Sequence, residues 1–251
     1  MVRVLLRCAE VEVNHAVQGD YTALFIAAHE GHESVVELLL AHAAVDPNST
    51  RPNGATPLYI AAWNGHDAVA RLLLAHAAVD PNLAMQDGST PLLKAVEQRH
   101  EAVVRLLLAH AAVEPNQAGQ SGVTPLYQAA QESHEAVVRL LLAHAAIDAN
   151  QAQHNGATPL IIAAEQGREA VVRLLLAHAA IDANQAQGGC TPLFMAAKNN
   201  HEATVRLLLA HPAVDAERAD RCGDTPLLVA CHTRSTAAAV SYTHLTLPTK
   251  A

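Results

Sequence analysis

The sequence predicts an all-α repeat solenoid, in which antiparallel helix pairs stack in one direction with β-hairpin or turn arms at one edge. Three observations carry that expectation. Thr-Pro-Leu recurs at Thr56, Thr90, Thr124, Thr158, Thr191 and Thr225, with a variant Thr22-Ala23-Leu24 ahead of them, and successive threonines lie 34 residues apart except for one step of 33. A fixed period of this size marks a linear array. Each period also holds two apolar runs, the second with helical spacing. Finally, the chain is 51% apolar, chiefly Ala, Leu and Val, with only two Phe, four Tyr and one Trp, and small side chains suit closely spaced helices. A unit of this kind buries its apolar face only against the next copy, so the 251 residues count repeats rather than independent domains.

The elements follow in order. Residues 1–21 form a partial unit, since Leu6 to Glu12 has the same offset as Leu40 to Asp46 and no first helix precedes it. Six helix pairs begin at residues 22, 56, 90, 124, 158 and 191, and a truncated unit opens at 225, giving an array over 1–240. Ser241-Tyr242-Thr243 stands where the seventh unit requires Leu-Leu-Leu, and the 241–251 tail carries no repeat feature. That tail resembles translated sequencing-adapter read-through and is expected to lack stable packing. The array is expected to be a fragment of a longer one.

Within a unit, each feature has a physical reason. Thr56 caps the first helix through its hydroxyl, Pro57 occupies the first turn where its missing N–H costs nothing, and Gly65 ends the helix in the left-handed conformation. That helix is about two turns long and needs neighbours to persist. In the second helix Val69, Leu72 and Leu73 share one face, while Asp67 and Arg71 form an i,i+4 pair on the other. The pair recurs as Glu101/Arg105, Glu135/Arg139, Glu169/Arg173 and Glu202/Arg206. Asp80-Pro81-Asn82 and the later Asp87-Gly88 then set an extended arm and a tight turn.

Composition narrows the function. A formal charge of −8 offers no broad attraction to nucleic acid or anionic lipid, and no apolar stretch approaches membrane-spanning length. Neither nucleic-acid binding nor membrane insertion is expected. Cys8, Cys190, Cys222 and Cys231 occupy no repeated position and show no CxxC spacing, which fits unpaired thiols in an intracellular, cytoplasmic rather than nuclear, setting.

The 16 histidines fall largely into two columns. One is His32, His66, His100, His134 and His201, with Arg168 in the fifth copy; the other is His42, His76, His110, His144, His178 and His211. Helices packed about 8–10 Å apart cannot easily present these rings to one ion. The first column is expected to stitch the turn before the outer helix, and the second to meet carbonyls at its end. No metal or cofactor is expected. No nucleophile elbow, phosphate loop or HExxH is present, and the recurrent Asp80, Asp148, Asp182 and Asp215 read as turn caps, so no enzyme is expected.

The sequence resembles the ankyrin repeat family in its Gly-x-Thr-Pro-Leu opening, its Ala-Ala pair, Gly-His, Leu-Leu helix and closing Asp-x-Asn, recovered in copy after copy over roughly Val4 to Val240. The family period of 33 has become 34, with the added residue in Ala75-His76-Ala77-Ala78-Val79. The usual His after Thr-Pro-Leu is replaced by apolar residues such as Phe25, Tyr59, Tyr127 and Phe194. The resemblance implies noncatalytic binding of a protein partner along a concave face, by a monomer, with a purely structural spacer or the recognition part of a larger enzyme as alternatives.

Partner recognition is expected where copies differ on an exposed face. The candidates are Arg51, Tyr59, Trp63, Asn64, Met85, Glu97 and Gln98, followed by Gln131, Glu132, Glu165, Gln166, Lys198 and Asn199. Trp63 leads them as the sole tryptophan, at a variable position. The near-identical arms around Gln117, Gln151 and Gln185 carry little discriminating power.

Overall fold

Each threonine-led segment is a helix because its first turn is capped. The structure is a computed structural model that describes residues 1–6, 11–17 and 20–233. Cys8, the Ser241-Tyr242-Thr243 positions and the 241–251 tail lie outside the described residues. The chain divides into two compact units, Met1–Gln120 and Ser121–Ala251.

The first unit holds α1 (Val2–Leu5), α2 (Ala23–His29), α3 (Glu33–Leu40), α4 (Pro57–Asn64), α5 (Asp67–Ala75), α6 (Pro91–Glu97) and α7 (Glu101–Ala109). The second holds α8 (Pro125–Gln131), α9 (Glu135–Leu142), α10 (Pro159–Glu165), α11 (Glu169–Leu176), α12 (Pro192–Lys198), α13 (Glu202–Leu209) and α14 (Pro226–His232). In the first unit α2, α4 and α6 pack in an inner row, with α1, α3, α5 and α7 in an outer row. The second unit repeats this with α8, α10, α12 and α14 inside and α9, α11 and α13 outside.

All seven cap threonines have extended backbone and accept a backbone N–H three residues on, at 3.0–3.3 Å. Thr22 does so without a following proline, so the hydroxyl rather than the ring starts the helix. Fully buried Ala61 and Ala62 let inner helices approach closely, and Leu58, Val69 and Leu73 fill the space between rows.

Adjacent copies are joined by an asparagine clamp. Asn48 donates from Nδ2 to the Ala78 carbonyl at 2.6 Å while its Oδ1 accepts the Asp80 N–H at 2.9 Å. Asn14, Asn82, Asn150 and Asn184 make the same two bonds to the following copy. The aspartates cap locally, as in Asp80 Oδ1 accepting the Asn82 N–H at 2.9 Å. A residue that reads as a turn former thus ties each arm to its neighbour.

The first histidine column also reaches between copies. His66 Nε2 bonds the His29 carbonyl, His100 Nε2 the Trp63 carbonyl and His201 Nε2 the Glu165 carbonyl, at 2.8–2.9 Å. Each ring lies on a glycine of the preceding copy: a Cβ on Gly31, Gly65 or Gly167 would come within 2.5–2.8 Å of the ring. Those glycines have φ of 66–73°, the left-handed region where a side chain is also strained. Where Ser133 takes this place at φ 58°, the next copy carries Arg168 instead of histidine.

Three sequence expectations are corrected. The arms are turns, not strand hairpins: among the described residues the only bridges are the isolated pairs Val17 with Tyr21 and Gln187 with Cys190. A typical arm closes with just Arg51 N–H to Ala55 O at 3.0 Å and Gly54 N–H to Arg51 O at 2.8 Å, too few bonds for a ladder. The second histidine column does not donate to helix-end carbonyls; His42, His76 and His144 accept through Nδ1 the N–H two residues on, at 3.3–3.4 Å, because the ring folds over its own turn. Of the five i,i+4 pairs, only Glu135/Arg139 and Glu202/Arg206 close as ion pairs, since exposed side chains gain little by it.

Candidate functional site

Helices α2 and α4 and the arm between them enclose a groove of ≈530 Å³ in the first unit. Its floor and walls are built from Tyr21, Phe25, Ile26, Ile60 and Trp63, with Arg51, Asn64, His29 and Glu30 at the edges. The helix period sets this arrangement. Ile26, Ile60 and Trp63 stand on the free side of the inner row, whereas Leu24, Leu58 and Ala61 point into the core. Ile26 is 44% exposed and Trp63 42%, an unusual investment of apolar surface.

Trp63 is fixed from two directions. Its ring meets Tyr59 edge-on at 6.0 Å, and the Lys94 ammonium lies 4.7 Å over its centroid. Lys94 in turn donates to Glu97 Oε2 at 2.6 Å. Burial disfavours the Lys94 charge, but the Glu97 hydrogen bond and the neighbouring Tyr59 outweigh it, and the ammonium is held above its usual range. Arg51 is placed in the same way, its guanidinium 4.2 Å from the centroid of Tyr21 and 5.6 Å from that of Phe25.

Of the expected residues, Arg51, Trp63 and Asn64 line the groove. Tyr59 requires correction as a contact residue: it is 2% exposed and forms a core cluster with Phe25 and Ala55, with Met85 packed partly buried against it. The apolar ring at the usual histidine position turns inward, and burial raises the Tyr59 phenol above its ordinary range. Asn64 is partly committed, donating to the His29 carbonyl at 2.9 Å. Glu97 and Gln98 are exposed beside Trp63's neighbour helix.

In the second unit Glu132, Lys198 and Asn199 are exposed and Gln131, Glu165 and Gln166 half-buried. These are polar, and Asn199 Nδ2 is turned back to the Met195 carbonyl at 3.0 Å. The groove residues missing from the candidate list are Tyr21, Phe25, Ile26, Glu30, His29 and Ile60. Tyr21 sits before the atypical Thr22-Ala23 opening, and Ile26 and Ile60 precede the Ala-Ala pair, so attention to the positions after that pair passes over them.

Among the described residues no group of three or more His, Cys, Asp or Glu is placed to hold a metal ion. No described helix is long and apolar enough to cross a membrane.

The family model for ankyrin repeats, in sets of three copies, matches residues 1–85, 76–153, 111–187, 144–220 and 179–242. The chain belongs to the ankyrin-repeat family. Among solved structures it is similar to the ankyrin repeat domain of Bcl-3, described as a unique member of the IkappaB protein family, with 26% identity and a TM-score of 0.82. That match covers 90% of this chain and 100% of the other. It shares its fold with the human ASB11 ankyrin repeat domain, at 24% identity and a TM-score of 0.73, over 91% of this chain and 99% of that one. None of the curated proteins compared matches the chain. As an ankyrin-repeat array it has the architecture of a noncatalytic interaction module, and the repeat-to-repeat clamps use side chains that are otherwise available for chemistry.

Proposed function

We propose that this ankyrin-repeat chain binds a protein partner through the inner-helix face of its first unit, with Trp63 as the main anchor. The observation that carries the reading is the coincidence of a groove with two exposed large apolar side chains, Ile26 and Trp63, at positions the stack does not need. Large rings held rigid and left accessible are the side chains that dominate binding energy at interfaces. The polar residues Glu132, Gln166 and Lys198 of the second unit supply a rim of lower energetic weight. The chain acts without a cofactor, as a monomer, inside the cell and in the cytoplasm; the free thiols of Cys190, Cys222 and Cys231 and the net charge of −8 support that setting.

The test is recovery of a partner on the immobilised chain, followed by titration of that partner against wild type, Trp63→Ala and Gln166→Ala. Trp63→Ala is expected to weaken binding by about 2 kcal/mol and Gln166→Ala by under about 0.5 kcal/mol. Equal affinity for all three contradicts the assignment, and the absence of any saturable partner favours the spacer alternative.

A further inference from the structure

The groove beside Trp63 selects by charge as well as by shape. Aromatic faces attract cations. Here the faces are already covered from within the chain, Arg51 lying over Tyr21 and Phe25 and Lys94 over Trp63. A basic or quaternary ammonium ligand would therefore meet two positive charges where it needs bare rings. At the opposite edge the Glu30 carboxylate is engaged by His29 Nδ1 at 2.8 Å, so the groove's one lining carboxylate is already met by a neighbour. The Lys94 charge is balanced by Glu97, which leaves Arg51 as the cation facing the groove volume.

We propose that the groove takes a partner segment bearing a branched aliphatic or aromatic side chain beside a carboxylate, the apolar group entering against Ile26, Ile60 and Trp63 and the carboxylate pairing with Arg51. The inference rests on the inner face being the protein-binding surface and adds the chemistry of the segment bound there. The apolar group covers the side chains now left in water. The carboxylate meets a guanidinium whose plane is already set by the Tyr21 ring, so little freedom is lost when the pair forms. A planar donor fork suits a carboxylate better than any other common peptide group. The partner segment is thus acidic, although the array itself carries a charge of −8 and would repel acidic chains elsewhere.

The experiment is selection of a random peptide library on the immobilised full chain, followed by titration of the selected peptides, fluorescently labelled, against wild type, Trp63→Ala and Arg51→Glu. Selected peptides are expected to place Leu, Ile, Phe or Trp next to Asp or Glu. Arg51→Glu is expected to weaken them by at least roughly tenfold. Exchanging the peptide's acid for Lys is expected to recover most of that loss on Arg51→Glu alone, a reversal that an unfolded variant cannot produce. If Trp63→Ala weakens binding but Arg51→Glu does not, or if basic peptides are selected, the carboxylate inference fails while the inner-face reading stands. If binding is indifferent to Trp63→Ala, the inner-face reading itself fails. A library that yields no saturable peptide overturns the proposal that a short segment suffices.

Discussion

Gly65 and His100 are one structural feature shared by two copies, and a double-mutant cycle measures it. Gly65 ends α4 at φ 73° and ψ 25°, and an added Cβ would lie 2.6 Å from His100 Nδ1. The ring cannot simply swing away, because its Nε2 holds the Trp63 carbonyl at 2.9 Å. Gly65→Ala therefore carries left-handed strain of about 1 kcal/mol and displaces a hydrogen bond worth about 0.5–1.5 kcal/mol, a total of about 2–3 kcal/mol. His100→Ala alone loses the bond, about 1 kcal/mol. In the double variant the bond is lost once and the clash disappears, so its cost falls short of the sum by about 1 kcal/mol.

The assay is urea denaturation followed by circular dichroism and by the emission of Trp63, the sole tryptophan, two residues from the substituted glycine. The m-value should stay constant across the four proteins, so that changes in midpoint report stability. Strictly additive costs refute the reasoning, since they would mean that the ring does not rest on the glycine.

Other sites give sharper single tests. Thr204 is fully buried where the other copies have Val103, Val137 or Val171, and its hydroxyl has no partner; Thr204→Val is expected to stabilise the second unit by about 1 kcal/mol in the same denaturation assay. Asn82→Ala removes bonds to Ala112 O and Glu114 N–H and is expected to cost about 1–3 kcal/mol, with faster amide exchange at Glu114; an unchanged midpoint denies the clamp its role. Burial raises the phenols of Tyr59 and Tyr127 above 10.0, so the folded state keeps protons that the unfolded state has lost. Their contribution is present in full below the ordinary tyrosine range and is lost as pH rises through the raised values. Tyrosinate absorbance should therefore develop late for these two, and early ionisation of both would contradict their burial.

Much of the fold was legible because its determinants are local and repeated. Thr56, Pro57 and Gly65 announce a helix start and stop through their own backbone chemistry, and the period then multiplies the statement. What joins copies was less legible. Asn48 has a sufficient local explanation as a turn residue, and only its bonds to residues 30 and 32 positions later reveal the clamp. The histidine contact did leave a trace, since Ser133 in place of glycine is followed by Arg168 in place of histidine.

The arms looked like hairpins because Asn-Gly at Asn53-Gly54 fits a tight turn, but the flanking segments are too short and proline-broken to form strands. At the site, Trp63 stood out by rarity, whereas the groove around it depends on Tyr21 and Ile26 in the least regular copy. Tyr59 and Trp63 are four residues apart, yet one turns into the core and the other stays out, a difference fixed by the neighbouring copy rather than by helix spacing.

Hydrogen exchange on the bound complex tests the central claim most directly. With a selected peptide or recovered partner at saturation, new protection is expected in Ala23–His29, Pro57–Asn64 and the arm around Arg51, with the outer helices Glu33–Leu40 and Asp67–Ala75 unchanged. Protection confined to those outer helices, or to residues beyond Ser121, would contradict the assignment of binding to the inner face of the first unit.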